Sequence, residues 1–317
     1  MKITKNDDST PHTEKRGFFF EILNYSESKL NYLDIAVMTA ELLLDRIEFD
    51  DLYAEFRRVE GKSVDYYHWH QCLEVLYIYD GVGIVVVDNQ QYTLRPGRIF
   101  IFPQGKLHKV TVENSPSNYY KRNILHIDAN VLASYFKPFN EFHNILENIS
   151  STDSKAFVFD LLQHHDFIQQ MFDTYEVKYQ SVSNKVEVMA VLLLNLFQLF
   201  SEDAYVRTTS TGKISSKIMR LIEQDFRQPL TLKAIAESLE ISQSYASRVF
   251  RKETGGTIQE YLMIRRVKYA CDLLENTELS VSQVAERAGF NHVTYFIRCF
   301  KELLGCAPLR YRNKQNR

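Results

Sequence analysis

The spacing of hydrophobic and polar positions changes twice along the chain. Residues 30–47 carry apolar side chains at helical intervals with acidic residues between them, which predicts a helix. From about Leu52 the period becomes two, and from Asn130 it returns to the helical value. The chain is therefore predicted to be an α+β protein of several domains, with a β-rich part between helical parts.

The β-rich part consists of short apolar runs separated by pairs of turn residues. The predicted turns are Asp80-Gly81, Asp88-Asn89, Pro96-Gly97 and Gln104-Gly105. Short strands at such close spacing predict a small β-barrel or jelly roll. The predicted strands are 73–79, 84–87, 91–94, 99–102, 110–112 and 123–127.

Four helices are predicted after the strands, at 130–136, 139–148, 157–173 and 184–201. The last one is apolar around most of its circumference, which predicts burial on two sides. One side would pack on the barrel and the other on a second copy of the chain, although burial within one chain explains the pattern as well. The polar segment 207–212 that follows is rich in threonine and is predicted to be a linker.

The last hundred residues contain one segment twice, about fifty residues apart. Each copy predicts two short helices around a tight turn, a supersecondary unit used twice. Thr231 and Ser242 are the predicted N-caps of the first copy, and Asn291 is the predicted N-cap of a helix over 292–304 in the second. The matched residues are Ile235, Ala236, Glu237, Tyr245, Arg248, Phe250, Arg251, Gly255 and Tyr261, then Val284, Ala285, Glu286, Tyr295, Arg298, Phe300, Lys301, Gly305 and Tyr311.

This pattern is a helix-turn-helix, so the predicted partner is double-stranded DNA. Apolar residues, Tyr245 and Val249 among them, would lock each second helix to the body, while outward residues reach base edges in the major groove. Arg248 and Arg298 occupy equivalent positions, and each is suited to bind a guanine. The predicted DNA-contacting residues are Ser244, Ser247, Arg248, Arg251, Val293, Thr294, Ile297, Arg298 and Lys301.

The formal net charge of −2 hides a separation of charge along the chain. Residues 213–317 hold 18 lysines and arginines against 11 acidic residues, a balance of +7, and the remainder carries −9. A basic module attached to an acidic one is expected where only one end meets phosphates. The four cysteines have no paired spacing, no apolar signal segment begins the chain, and no apolar run is long enough to span a bilayer. We therefore expect a cytoplasmic protein without a membrane partner.

The repeated segment resembles the DNA-binding part of the AraC/XylS family of bacterial transcription regulators. The similarity covers about a hundred residues and is most specific in the second copy, at Gly289-Phe290, Tyr295-Phe296, Arg298, Gly305 and Pro308. Ala307 departs from the pattern, since the family often has threonine there. The resemblance implies two helix-turn-helix units, joined by a rigid helix, that dock in successive major grooves. It also implies a homodimer that activates transcription, with RNA polymerase as a further partner.

A second motif lies in the β-rich part, where His68, His70, Glu74 and Gly81 are followed by Gly97, Pro103, Gly105 and His108. This spacing resembles the two signatures of cupin barrels, although Gly61 is one place early and the closing asparagine is absent. Strand alternation places His68, His70 and Glu74 on one face, and the resemblance brings His108 across to them. Three imidazoles and a carboxylate suit a divalent transition metal such as zinc, nickel, manganese or iron.

A second interpretation of the same cluster is a pocket that holds a small molecule without metal. AraC-like proteins often carry a cupin-like effector domain, so the resemblance favours sensing over catalysis. Nearby aromatic residues suit a sugar, although they also fill small barrels. Trp69, the only tryptophan, is expected to report ligand entry by its fluorescence, and the isolated His126 is expected to be a core residue. The predicted effector-binding residues are His68, Trp69, His70, Glu74 and His108.

Five segments are predicted. They are an N-terminal segment with a helix at 1–50, a cupin-like effector barrel at 51–128, a helical dimerisation segment at 129–206, the linker at 207–212 and the DNA-binding domain at 213–313. The predicted function is a sequence-specific transcription activator that a small-molecule effector controls and that has no enzymatic activity. Two alternatives stay open: a cupin metalloenzyme with a DNA-binding appendage, and a constitutive DNA-binding regulator with a purely structural barrel.

Overall fold

A computed structural model describes residues 54–61, 66–112, 119–151, 154–206 and 213–315. The helix predicted at 30–47 and the linker predicted at 207–212 lie outside the described residues. In the part of the chain that the structure describes, none of the helices combines the length and the apolar character needed to cross a membrane.

The β-rich part is built from two antiparallel sheets. Its strands are β1 (Ala54–Glu60), β2 (Leu73–Asp80), β3 (Gly83–Val87), β4 (Gln90–Leu94), β5 (Arg98–Phe102), β6 (His108–Val112), β7 (Lys121–Ile127) and β8 (Phe157–Asp160). One sheet has the order β1-β7-β2-β5-β8, and the other has the order β4-β3-β6. The hairpin between β3 and β4 turns at Asp88 and Asn89, which both have the positive φ that such a two-residue turn requires.

Strand alternation gives each sheet two buried faces. Leu76 and Phe100 of the five-stranded sheet pack against Val85 and Val110 of the three-stranded sheet, so apolar side chains fill the space between the sheets. The alternate residues of the five-stranded sheet, such as Val75, pack against helices instead. The predicted barrel-like architecture is therefore confirmed, and its interior is a packed core.

Helices cover the outer face of the five-stranded sheet. They are α1 (Ala129–Phe136), α2 (Asn140–Ser150), α3 (His165–Ser181) and α4 (Lys185–Phe197). The apolar residues of α4, such as Met189, Leu193 and Leu196, are buried in the core that this sheet shares with the helices, whereas Val191 is 41% exposed. Burial within one chain therefore accounts for most of the apolar circumference of α4.

The prediction of a helix at 157–173 is wrong for its first residues. Phe157–Asp160 form β8, which pairs with β5, and a short 3-10 turn at Leu162–His164 precedes α3. A short apolar run is compatible with either a helix or a strand. Here it forms a strand because it pairs with the edge of β5. Val158 then faces the space between the sheets, while Phe159 faces the helices.

Seven helices form the C-terminal part of the described chain. They are α5 (Ile214–Asp225), α6 (Leu232–Ser238), α7 (Gln243–Thr254), α8 (Ile258–Asn276), α9 (Val281–Arg287), α10 (Val293–Leu304) and α11 (Pro308–Gln315). The pairs α6–α7 and α9–α10 are the two predicted helix-turn-helix units, and α8 joins them. The helices pack on the outer face of the three-stranded sheet, because Val86, Tyr67 and Trp69 belong to the same buried cluster as the helical core.

The strand β8 is fastened to the barrel by Asp160, which accepts hydrogen bonds from Arg95 and Arg98. Burial raises the pKa of Asp160, but the hydrogen bonds and charges of these two arginines outweigh it and lower the pKa below its usual value of 3.8. The ionised form is therefore the one that stabilises the fold.

We expect Asp160→Asn to lower the free energy of unfolding by about 1 kcal/mol near pH 7, as measured by urea denaturation. Because the pKa is lower in the folded chain, the difference from wild type should be complete well above the usual pKa of 3.8 and shrink as the pH falls through the lowered pKa. The exposed Asp203→Asn is the control and should change nothing. An unchanged difference at pH 3 would contradict this account.

Candidate DNA interface and histidine cluster

Four side chains form a row across the five-stranded sheet. Glu55 of β1 lies opposite His126 of β7, His126 lies opposite Glu74 of β2, and Glu74 lies opposite Phe102 of β5. Residues that are paired in this way present their side chains on one face of the sheet. The register thus brings His126, which sequence analysis interpreted as a core residue, beside the predicted cluster.

Imidazoles surround one carboxylate oxygen of this row. Glu74 Oε2 lies 2.7 Å from His70 Nε2, 3.3 Å from His108 Nε2 and 4.0 Å from His126 Nε2. The ring of His68 lies 4.3 Å from that of His108, between centroids. Each of the five side chains is at most 6% exposed. The structure therefore brings His68, His70, Glu74 and His108 together, as predicted, and adds His126.

Backbone and carboxylate acceptors orient three of these imidazoles. His68 Nδ1 lies 3.3 Å from the carbonyl oxygen of Tyr66, and His108 Nδ1 lies 2.9 Å from that of Lys106. His126 Nδ1 lies 3.0 Å from Glu55 Oε2. A carbonyl or an ionised carboxylate can only accept, so each Nδ1 donates its proton and Nε2 is left facing the cluster. Phe102 stacks on His108 at 3.9 Å and fixes its ring plane.

The charges of the cluster are set by burial and by the neighbouring imidazoles. Burial alone raises the pKa of Glu74, but the charges and hydrogen bonds of His70 and His108 outweigh it and hold the pKa well below its usual range. The hydrogen bond from His126 lowers the pKa of Glu55. Burial, reinforced by His108 and His70, lowers the pKa of His68 well below its usual value, so His68 is neutral near pH 7. The site is a buried carboxylate among imidazoles.

Such a donor set is able to hold a cation. One ligand atom each from His68, His70, Glu74 and His108 can be chosen so that all four lie within 4.8 Å of one another. Neutral imidazole nitrogens and a carboxylate oxygen are ligands for divalent transition metals. Hydrogen bonds from the second ring nitrogen to carbonyls and carboxylates are the usual support of metal-binding histidines.

The structure does not bring Trp69 to these histidines. Along the strand segment His68 and His70 face the space between the sheets, so Trp69 and Tyr67 point to the opposite side. Trp69 is 5% exposed and belongs to the buried cluster of the C-terminal helices. Its fluorescence is therefore placed to report contact between the barrel and these helices.

The outward surfaces of α7 and α10 carry the predicted DNA-contacting residues. Ser244, Ser247, Arg248 and Arg251 are exposed on α7. On α10, Thr294 and Lys301 are exposed, Val293 and Ile297 are 37% and 38% exposed, and Arg298 is partly exposed. Exposed apolar residues on such a surface suit thymine methyl groups.

Two details of these helices differ from the sequence prediction. Tyr245 does not face inward but is 38% exposed, and the buried positions of α7 are instead Ala246, Phe250 and Thr254. Asn291 is not the N-cap of α10, which begins one residue later with His292 in that place and without a side-chain cap bond. The shift follows from burial, because Phe296 and Phe300 must face the core.

The same arginine–tyrosine arrangement occurs on both helices. The guanidinium of Arg248 lies 5.5 Å from the ring of Tyr245, and that of Arg298 lies 5.3 Å from the ring of Tyr295. Sequence analysis missed both tyrosines as surface residues, although their spacing of three from the arginines signals the stack. Arg298 also lies 3.8 Å from Glu302 Oε1, whereas Lys252 occupies that position on α7.

Two sequence families match this chain. The description "helix-turn-helix domain" applies to residues 235–314, and "AraC-like ligand binding domain" applies to residues 51–194. The chain belongs to the AraC family of transcription regulators. The HTH-type transcriptional regulator YfiF of Bacillus subtilis is 24% identical over 302 residues, which cover 90% of this chain and 91% of that protein. The melibiose operon regulatory protein of Escherichia coli is 22% identical over 293 residues, 82% of this chain and 89% of the relative.

Among solved structures, the chain is similar to ToxT from Vibrio cholerae bound to a naphthalenyl butenoic acid. The sequence identity is 15% and the TM-score is 0.36, over 83% of this chain and 99% of that chain.

In this AraC-family regulator the barrel contacts the DNA-binding domain directly. Lys109 of β6 is 2% exposed, and its ammonium donates to the carbonyl oxygen of Gly255 at 2.9 Å. Tyr261 of α8 donates to Asn89 at 3.1 Å, and its ring lies 5.2 Å from that of Tyr67. Sequence analysis missed these residues, since nothing in the sequence indicates which outer barrel face is covered.

Proposed function

We propose that this AraC-family regulator binds a specific DNA site with α7 and α10 in successive major grooves, and that a ligand in the barrel controls that binding. The proposal is supported by the presence of two equivalent, exposed helix surfaces and one buried polar cluster in the same chain. The DNA contacts are Ser244, Ser247, Arg248 and Arg251 of the first unit and Val293, Thr294, Ile297, Arg298 and Lys301 of the second. Lysines and arginines neutralise phosphates, and the outward residues of the two helices supply specificity.

The proposed ligand site consists of His68, His70, Glu74 and His108. These groups are buried, and the match of residues 51–194 to an AraC-like ligand binding domain favours regulation over a metalloenzyme. The melibiose and arabinose operon regulatory proteins among the relatives make a sugar the first organic class to try. A ligand acts on DNA binding only if its affinity differs between two arrangements of the chain.

The proposed setting is the cytoplasm, and the proposed assembly is a homodimer that activates transcription together with RNA polymerase. The exposed apolar side chains Phe167 and Val177 on α3 and Val191 on α4 are the surface that we assign to the second copy. The proposed domains are those predicted from the sequence, with β8 belonging structurally to the barrel although it follows α1 and α2 in the chain.

The DNA-binding proposal is tested with a random oligonucleotide pool, from which the full chain selects its site. We expect Arg248→Ala and Arg298→Ala each to relax base preference at a separate position of that site, since a bidentate arginine–guanine contact discriminates by about 1 to 3 kcal/mol. Affinities for single-base variants of the site, measured at one salt concentration, provide the readout.

Lys137→Ala, on the exposed turn after α1, is the matched control and should leave every affinity unchanged. A uniform loss across all oligonucleotides would assign the two arginines to phosphates. Footprinting that protects a single groove per protomer, or nothing, would overturn the proposed docking of two helices.

A further inference from the structure

A buried arginine lies on the inner face of the five-stranded sheet, the face that meets the three-stranded sheet. Arg122 of β7 lies opposite Ile78 of β2, whereas His126, four residues further along β7, lies opposite Glu74. Four residues of an extended strand span about 13 Å. Arg122 is 7% exposed, and its Nη1 atom has no hydrogen-bond partner among the described residues. The guanidinium is therefore a buried cation at the other end of this face from the histidine cluster.

Two carboxylates on the same face are engaged elsewhere. Glu74 Oε2 lies 2.7 Å from His70 Nε2, and Glu55 Oε2 lies 3.0 Å from His126 Nδ1. Burial lowers the pKa of Arg122 by more than the charge of Glu74 raises it. A buried charge is costly unless an opposite charge and hydrogen bonds compensate it. The protein itself therefore compensates the charge of Arg122 only in part.

A second arginine lies beside Arg122 on this face. Val59 of β1 lies opposite Arg122. Arg57, two residues earlier on β1, presents its side chain on the same face and is a diagonal neighbour of Arg122, within reach of a long side chain. Burial is the main cause that lowers the pKa of Arg122, and the charge of Arg57 lowers it further. An anion bound between the two guanidiniums relieves this repulsion.

Tyr120 supplies a second buried donor next to the guanidinium. The centroid of its ring lies 4.4 Å from the guanidinium carbon of Arg122. The residue is 2% exposed, and its hydroxyl has no hydrogen-bond partner among the described residues. Burial raises the pKa of Tyr120, so the hydroxyl is protonated near pH 7 and able to donate. Two buried donors thus lie side by side, which is the arrangement that an anion requires.

The backbone holds Tyr120 in this position. The N–H of Gly61, directly after β1, donates to the carbonyl oxygen of Tyr120 at 2.9 Å. A Cβ placed on Gly81, in the turn between β2 and β3, would lie 3.0 Å from the Tyr120 ring. The ring therefore fits closely against the turn. Donors that are fixed before a ligand arrives lower the entropic cost of binding.

Solvent reaches part of the inner face along β1 and β7. Arg57 is exposed and Ile124 is half-buried, and the side chain of Glu55 is 38% exposed. Further across the same sheet, Leu76 and Phe100 are buried. The inner face is therefore a packed core over β2 and β5 and an open groove over β1 and β7.

The groove combines two cations with an apolar floor. Val59 and Ile124 are both half-buried and lie on the same face as the two arginines. Guanidinium groups bind carboxylates through pairs of parallel hydrogen bonds. A neutral sugar carries no charge to compensate the guanidiniums, and a phosphate has no apolar body to cover Val59 and Ile124. The groove is therefore suited to an organic carboxylate.

We propose that the effector of this regulator is a small organic acid, whose carboxylate binds between Arg122 and Arg57 and accepts a hydrogen bond from Tyr120. Its apolar body lies on Val59 and Ile124. This rests on the proposed function, in which a ligand of the barrel controls DNA binding. The histidine cluster lies outside this site.

The experiment measures the Tm of the full chain with hexanoate, benzoate, acetate or phosphate, and with the neutral amides hexanamide and benzamide, at one ionic strength. We expect hexanoate and benzoate to raise Tm and the amides to leave it unchanged, because only the acids compensate the guanidiniums. Acetate and phosphate should raise Tm less. The absence of a rise with any acid would overturn the site, and an equal rise with phosphate would overturn the organic class.

Calorimetric titration with the acid that raises Tm most gives its Kd for wild type and variants. We expect Arg122→Met to weaken binding by at least about tenfold, and Tyr120→Phe by about threefold to tenfold. Arg58→Gln is the matched control, since Arg58 is the neighbour of Arg57 on the opposite face and pairs with acidic residues of α3. The control should bind the acid as wild type does.

The stability of the free chain separates a binding arginine from a structural one. Arg122→Met removes a buried charge that the protein compensates only in part, so without acid the variant should melt no lower than wild type. A variant that melts well below wild type and binds the acid with wild-type Kd would assign Arg122 to the fold alone. If Arg122→Met does not fold, Tyr120→Phe and Arg57→Gln carry the test, and wild-type Kd in both would overturn the site.

DNA binding distinguishes a failure of this proposal from a failure of the proposed function. The acid should change affinity for the selected DNA site by at least about fivefold in wild type and in Arg58→Gln, and by less than about twofold in Arg122→Met. Acid that binds without altering DNA affinity would overturn its role as effector. Selective DNA binding that a neutral sugar alters and no acid alters would overturn the acid and leave the proposed function standing.

Discussion

The structure depends on a single constraint of extended chains, that neighbouring side chains point to opposite sides. In this protein the central strands of both sheets are covered on both sides, so each of them makes two unrelated sets of contacts. β6 illustrates the consequence, because His108 faces the buried carboxylate while Lys109 faces the DNA-binding domain. Neither residue can shift along the strand direction without affecting the other. The histidine cluster and the contact with the DNA-binding domain thus lie at adjacent positions of one strand.

This arrangement places a carboxylate and four imidazoles in the interior of the barrel. A buried carboxylate is tolerated only with compensating charge or hydrogen bonds, and most of the local donors are already used on outside acceptors. Tyr66 and Lys106 offer backbone carbonyls, and Glu55 offers a carboxylate, so the Nδ1 protons of three imidazoles point away from Glu74. The charges and hydrogen bonds of His70 and His108 therefore compensate the buried carboxylate.

Sequence analysis predicted the features that depend on periodicity or on motif spacing. It missed the features that depend on which strands pair with one another. The alternation of β2 and the His68 to His108 spacing predicted a cluster that the fold assembles, and the repeat predicted two exposed helices with their cap glycines. The place of His126 in the cluster was not predicted, because only the register of β7 with β2 brings it to Glu74. The strand β8 was not predicted because its short apolar run is compatible with either a helix or a strand. Pairing with the edge of β5 makes it a strand. The contact of the C-terminal helices with the three-stranded sheet was not predicted, because the sequence pattern is equally compatible with Tyr67 and Trp69 filling the barrel.

The helices α7 and α10 occupy equivalent positions in the repeat, but their contacts with the rest of the chain differ. α7 is held at its C-cap by a buried lysine of the barrel, and Tyr261, which follows on α8, is held by Asn89 of a barrel hairpin. The C-cap of α10 is exposed, and Arg298 has Glu302 near it as a competitor for its guanidinium. Since the rigid α8 joins the units, a change in the seating of α7 alters the spacing and angle between the two helices. The barrel therefore contacts the C-cap of one helix-turn-helix unit and leaves that of the other exposed, so two units that are equivalent in sequence differ in their surroundings.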